Sequence, residues 1–237
     1  MAIDMNQRIV SVHYPKAGGT SLQRQLMELL GDKMALDYNH DPLTPEGSET
    51  ADFPEGKTLV MGHFRAQRYA SADAYWATFL RHPVDFLISL YFFWKKFPES
   101  HGLHARFLRE QPTIFELAKY PGITNLMSEG YFGGFDMDRF NFIGFHKDRN
   151  TDLSRLARDI DLPLSAAVCE NRTYQCAERL DFEADVSIQR KLTDLLADDV
   201  AFYEQQYERR AAGSSPAEYD HCAEIHLPHS ENVGIRI

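Results

Sequence analysis

The chain has 237 residues, 43% of them hydrophobic and 12% aromatic, which is enough for a sizeable core in one domain and unlike a disordered or fibrous composition. Its 25 Lys and Arg stand against 35 Asp and Glu, a formal charge of −10, which argues against wrapping nucleic acid or another extended polyanion but leaves room for a local basic pocket. The three cysteines, Cys169, Cys176 and Cys222, are sparse and odd in number, so a reducing compartment without a disulfide framework is expected. The opening MAIDMNQRIVSV carries Asp4 and no long apolar run, and the longest apolar stretch, Phe86 to Trp94, is interrupted by Ser89. Neither a leader nor a membrane span is expected, and the expected location is the cytoplasm.

In chain order, residues 8–14 (RIVSVHY) are rich in β-branched and aromatic types and read as a strand ending at Pro15. A glycine turn follows at Lys16-Ala17-Gly18-Gly19. Leu22, Leu26, Leu29 and Leu30 then recur on one face of a helix, with Thr20 or Ser21 as possible N-caps and Gly31 as the stop. Residues 36–57, with Pro42, Pro45 and Pro54, read as a surface loop. Short apolar runs at 58–61 and 75–80 lead into Gly62-His63 and Arg81-His82-Pro83. Pro83 suits the first turn of a helix, and the segment after it is apolar nearly all round, as in a buried helix. Residues 98–138 read as short helices and turns, 140–145 as a fourth strand, 151–161 as a helix, and 187–209 as one long amphipathic helix. Strands alternating with helices predict an α/β fold around a mostly parallel sheet, with a single domain over 1–210 and a loosely packed tail over 211–237.

The loop Pro15-Lys16-Ala17-Gly18-Gly19-Thr20-Ser21 lies between a strand and a helix N-terminus. Small residues there let the backbone approach a phosphate, the first helical N–H groups point at the ligand, and the helix dipole favours negative charge. Lys16 adds a full positive charge, and Thr20 and Ser21 add hydroxyls. The order is not that of a Walker A loop, in which Lys follows the last glycine; the plain alternative is a Gly-Gly turn. Arg81 stands at the end of a predicted strand, where ligands bind in open parallel sheets, and Ser89 follows about two helical turns later. A guanidinium and a hydroxyl so placed can hold a phosphate between them. Taken alone, Ser89 could equally be a small residue at a helix contact and Arg81 the partner of a carboxylate.

In this order, PKAGGTS, then GHF, then FLRHPVDFLISLYFF resemble the sulfotransferase superfamily, and more narrowly its carbohydrate-type branch with the heparan sulfate 2-O-sulfotransferases and bacterial relatives. The family's loop for the 5′-phosphosulfate reads like PKTGGTS and its 3′-phosphate motif like RxPxxRxxSxY. Here Phe86 stands where the second Arg is usual. The resemblance runs over about residues 8–209 and is weaker outside the two motifs, at Asn125-Leu-Met-Ser128, at Phe140 to Phe145 and at Asp198 to Tyr203. It implies a P-loop kinase-like three-layer domain, with a mostly parallel central sheet flanked by helices, that uses 3′-phosphoadenosine 5′-phosphosulfate (PAPS) as donor and requires no metal. It also implies that Gly18, Gly19, Thr20 and Ser21, with Ala17, cradle the 5′-phosphate. Lys16 would meet the bridging oxygen, and Arg81 and Ser89 would bind the 3′-phosphate.

Sulfuryl transfer to a hydroxyl needs a general base. His63, after Gly62 at the end of a predicted strand, is the first candidate, and a histidine in a similar Gly-His position serves the 2-O-sulfotransferase branch. His13, one residue before Tyr14 and the loop, is the rival, and His82 would touch the nucleotide or face solvent. The expected acceptor is a hydroxyl of a small metabolite or glycan, with no nucleic acid or membrane partner. A kinase-like phosphotransferase and a non-catalytic nucleotide-binding protein of the same fold are the alternatives. His221, Cys222, His226 and His229 fit no zinc spacing. Arg172 is a weak candidate for the 3′-phosphate, and Tyr131, Phe132 and Phe135 would line an acceptor pocket or pack in the core.

Overall fold

A computed structural model describes residues 7–43, 49–98, 101–166 and 176–213. Cys169, Arg172 and the tail residues His221, Cys222, His226 and His229 lie outside the described residues. Five strands, β1 (Ile9–Val12), β2 (Met34–Asp37), β3 (Leu59–Gly62), β4 (Tyr75–Leu80) and β5 (Phe142–Phe145), form one sheet in the order β2-β3-β1-β4-β5. Every pairing is parallel. β1, β3 and β4 are buried along their whole length, as strands covered on both faces must be, and they read as continuous apolar runs for that reason.

The helices are α1 (Gly19–Leu30), α2 (Pro83–Lys96), α3 (Gly102–Glu110), α4 (Ile114–Leu117), α5 (Arg149–Asp159), α6 (Ala177–Ala184), α7 (Val186–Leu195) and α8 (Ala197–Gly213). From β1 the chain crosses toward β2, and from β4 it crosses the other way toward β5. Right-handed crossovers therefore put α1 on one face of the sheet and α2 on the other, giving the expected three-layer α/β architecture. α2 is the hub of its layer and packs on α3, α4, α6, α7 and α8. The reversal of direction falls between β1 and β4, whose C-terminal ends frame the crevice in which open α/β sheets bind ligands.

Three local expectations change. A fifth strand, β2, takes residues 34–37, overlapping the start of the stretch read as loop; it has four residues and an edge position, so its pattern is too short to stand out. Neither Thr20 nor Ser21 caps α1, because the N-cap is Gly18, in the left-handed conformation with φ 86°. The helix expected over 187–209 is two, α7 and α8, broken at Leu196. The N–H of Leu196 reaches the carbonyls of both Leu192 and Thr193, closing the last turn of α7 before α8 begins. Pro83 does begin α2, and Gly31 does end α1. α8 runs three residues past the expected domain end, to Gly213.

Candidate active site

A parallel sheet brings the C-terminal ends of all its strands to one edge, and the register sets which residues stand side by side there. Asp37 pairs with Gly62, and Gly62 with Val12. The next residues, Tyr38, His63 and His13, therefore form a row across three strands. The rings of His13 and His63 are 4.6 Å apart, and those of Tyr38 and His63 are 4.8 Å apart. Gly62 is required within this row, since a Cβ there would overlap the Asp37 carbonyl. On the other side of the crevice Leu80 pairs with Phe145, so Arg81 and His146 are the neighbours that follow.

The glycine loop lies between these two halves. Lys16 and Gly18 both hold positive φ, 59° and 86°, which turns the chain into α1. Gly18 offers no side-chain cap to α1 and no acidic residue stands in the first turn, so the helix dipole at the crevice favours an anion. Gly19 is tight against the imidazole of His13, which a Cβ would overlap, and a Cβ on Gly18 would come within 3.0 Å of Arg149 Nε. Ala17 and Ser21 are buried beneath the loop, and Thr20 is exposed at the start of α1.

Four cations gather here in a chain of charge −10. Lys16 rests its ammonium on the Phe93 ring, 3.8 Å from the centroid. Its pKa is lowered to about 8 by burial and by the nearby charges of Arg81 and Arg179. Arg81 donates from Nη1 to the Lys16 carbonyl at 2.8 Å and so braces the loop from the β4 side. Arg149, at the start of α5, covers Gly18. Arg179, on α6, is only 6% exposed and pairs with Glu183 through Nε at 2.7 Å. Arg81 Nε and Arg179 Nη1 are buried without a hydrogen-bond partner among the described residues. Buried donors left unpaired cost on the order of 1–3 kcal/mol each, so these groups are suited to an anion that satisfies them. His146 is held neutral, its pKa lowered to about 4 by burial and by Arg81 and Arg149.

The histidine half is differently wired. His13 Nδ1 lies 2.7 Å from the Tyr38 hydroxyl, which in turn donates to Gln23 Oε1 at 2.8 Å. The tyrosine proton is thus committed to Gln23, and His13 must donate from Nδ1. Burial, His63 and Lys16 hold the His13 pKa well below its ordinary value, so it is neutral. His63 Nδ1 lies 3.0 Å from Asp41 Oδ2, while its buried Nε2 has no partner among the described residues. Beside these rings stand Tyr14 and Tyr131, 5.3 Å apart, with buried hydroxyls that also lack a partner among the described residues. Burial raises the pKa of both, so both remain O–H donors.

The remaining sequence candidates fall as follows. Ser89 is 0% exposed within α2. Phe86 is buried and packs on Tyr14 with ring centroids 5.1 Å apart, so it supports the strand end that leads into the loop. His82 packs its ring on Tyr203, 5.3 Å away. Tyr131, Phe132 and Phe135 are all core residues, of which Tyr131 alone reaches the histidines, 6.4 Å from His63. Asp41, Arg149, Arg179 and His146 are absent from the sequence reading. They are ordinary polar residues in a loop and in helices, and only the register beside Gly62 and Leu80 could have hinted at what surrounds them.

No group of three or more His, Cys, Asp or Glu placed to hold a metal ion occurs among the described residues, and no helix there is long and apolar enough to cross a membrane. No protein-family profile matches the sequence, and no curated protein matches it. Among solved structures, the chain is similar to a sulfotransferase from Alicyclobacillus acidocaldarius, with TM-score 0.40 and 12% identity over 84% of this chain and 98% of that one. It is also similar to mouse sulfotransferase SULT7A1 complexed with PAP, with TM-score 0.39 and 11% identity over 89% of this chain and 91% of that one. These are likenesses of overall chain path at low identity.

Proposed function

We propose that the protein is a sulfotransferase that moves a sulfuryl group from PAPS to a hydroxyl of a carbohydrate or small metabolite. The observation that carries this reading is the convergence of Lys16, Arg81, Arg149 and Arg179 on a helix N-terminus whose N-cap glycine offers no side chain, beside an imidazole whose Nε2 has no partner among the described residues. A donor bearing both a 5′-phosphosulfate and a 3′-phosphate has the charge to engage all four cations. The motif order PKAGGTS, GHF, RHPVDFLISLY supports the same reading.

In this reading the backbone of Ala17, Gly18 and Gly19, with Thr20 and Ser21, cradles the 5′-phosphate, with Arg149 covering the loop. Arg81 and Ser89 take the 3′-phosphate, with Arg179 adding the charge that Phe86 does not supply. The donor contributes an activated S–O bond. The acceptor O–H gives its proton to His63 Nε2 as its oxygen bonds to sulfur. The bridging S–O bond breaks, and the electron pair stays on the 5′-phosphate oxygen, next to Lys16. Positioning and charge stabilisation do the catalytic work.

The test is calorimetric titration with 3′-phosphoadenosine 5′-phosphate (PAP) against ATP and AMP, repeated on Lys16→Ala, Arg81→Ala, Arg179→Ala and Ser89→Ala. The reading expects PAP to bind far more tightly than AMP or ATP and to lose about tenfold or more in affinity with each arginine variant, as for a buried charge-assisted contact. A loss in Ser89→Ala without a fall in melting temperature would separate the phosphate contact from a packing role. Indifference to the 3′-phosphate would overturn the donor assignment, and preference for ATP would favour a phosphotransferase.

A further inference from the structure

Two imidazoles stand side by side at the end of the sheet, and their second nitrogens are wired to different chemistry. His13 gives its Nδ1 proton to a tyrosine that passes its own to an amide, a neutral chain with no carboxylate in it. His63 faces a carboxylate, Asp41 Oδ2, at 3.0 Å. That carboxylate is itself anchored, because Asp41 Oδ1 accepts the N–H of Leu43 at 2.8 Å in a local turn. With Nδ1 given to Asp41, the lone pair of a neutral His63 lies on Nε2, the buried atom without a partner among the described residues.

We propose that Asp41 is the positioning residue for His63: it keeps the imidazole proton on Nδ1, fixes the ring, and leaves Nε2 to receive the acceptor's proton. This rests on the sulfotransferase reading for the identity of the acceptor. The physical reason for the choice is charge. A base that takes a proton becomes an imidazolium, and a carboxylate on the far nitrogen offsets that new charge. The His13 chain has no group that can do so. The first candidate base and its rival are thereby separated: His63 has a carboxylate to orient it, and His13 fills the space behind Gly19.

The experiment combines side-chain ¹⁵N–¹H NMR of the histidines with kinetics and PAP calorimetry on the wild type, Asp41→Asn, Asp41→Ala and Asp41→Glu. His63 signals are assigned from His63→Gln. The neutral His63 ring of the wild type is expected to carry its proton on Nδ1, and Asp41→Ala to lose that preference. For Asp41→Asn and Asp41→Ala, kcat is expected to fall by about 10²–10⁴-fold, the contribution of a positioned general base. PAP affinity should stay within about twofold, which also reports that the fold is intact, and Asp41→Glu should recover part of kcat. A wild-type His63 protonated on Nε2 overturns the proposal whatever the activity. So does an unchanged kcat in Asp41→Ala, or a loss confined to donor affinity. Should no acceptor be sulfated while the tautomer result holds, the assigned activity falls and the Asp41–His63 arrangement stands.

Discussion

Lys16 holds its backbone at φ 59°, its ammonium on the face of Phe93, and its pKa near 8. Burial comes first among the causes, with Arg81 and Arg179 adding to it. The sign follows directly: above pH 8 much of the free protein carries a neutral Lys16, and a bound anion restores the charge. Binding PAP at pH 8 should therefore take up about half a proton at this residue. Calorimetry in buffers of different ionisation enthalpy measures that uptake, which should vanish in Lys16→Ala, and affinity should decline as pH rises through 8. Gly19 is the second decisive residue. Gly19→Ala would drive a methyl into the His13 imidazole and is expected to weaken PAP binding by more than tenfold. His13→Ala in the same chain removes the collision, so the double variant should bind PAP better than Gly19→Ala alone, a coupling that a double-mutant cycle reads.

At the scale of elements, the segment Leu126–Tyr131 takes one π-helical turn and thereby brings Tyr131 against Tyr14 and His63. Such a turn does not satisfy its own first amides, and a residue from α8 does so. Asp199 accepts from the N–H of Met127 at 2.8 Å, the N–H of Ser128 at 2.7 Å and the Ser128 hydroxyl at 2.6 Å. Asp199→Ala leaves these donors without that acceptor in a buried place and should cost about 2–4 kcal/mol in urea unfolding. The strand–loop–helix at 9–30 and the strand–Pro83–helix at 75–96 were legible in the sequence, because a β-rich run, a glycine turn and a proline at a helix start are local signals. β2 was not, because its identity as a strand comes from pairing with β3 rather than from its own four residues. The division of the last helical stretch at Leu196 was not, because apolar periodicity continues through the break.

Over the whole molecule, distant segments are tied to the site edge by buried charge. Arg210, in the last turn of α8, pairs with Asp148 and, at 2.6 Å, with Asp152, which also accepts the N–H of Phe145 at the end of β5. Arg210→Ala would leave the buried Asp152 with the longer, 3.6 Å pair to Arg155 and the N–H of Phe145, and should destabilise the fold by about 1–3 kcal/mol. Arg210→Met with Asp152→Asn should lose less, and urea unfolding of both variants checks the difference. By itself the sequence determined what short-range chemistry decides: a parallel α/β fold, a glycine loop carrying Lys16 at a helix start, and Arg81 and His63 just after strand ends. Those are properties of neighbouring residues along the chain. Only the tertiary structure decided that Arg149 and Arg179 join Lys16, that Phe86 packs on Tyr14, and that Asp41 rather than Tyr38 pairs with His63. Those pairings depend on strand order and register, which set residues far apart in sequence beside each other and which no local pattern encodes.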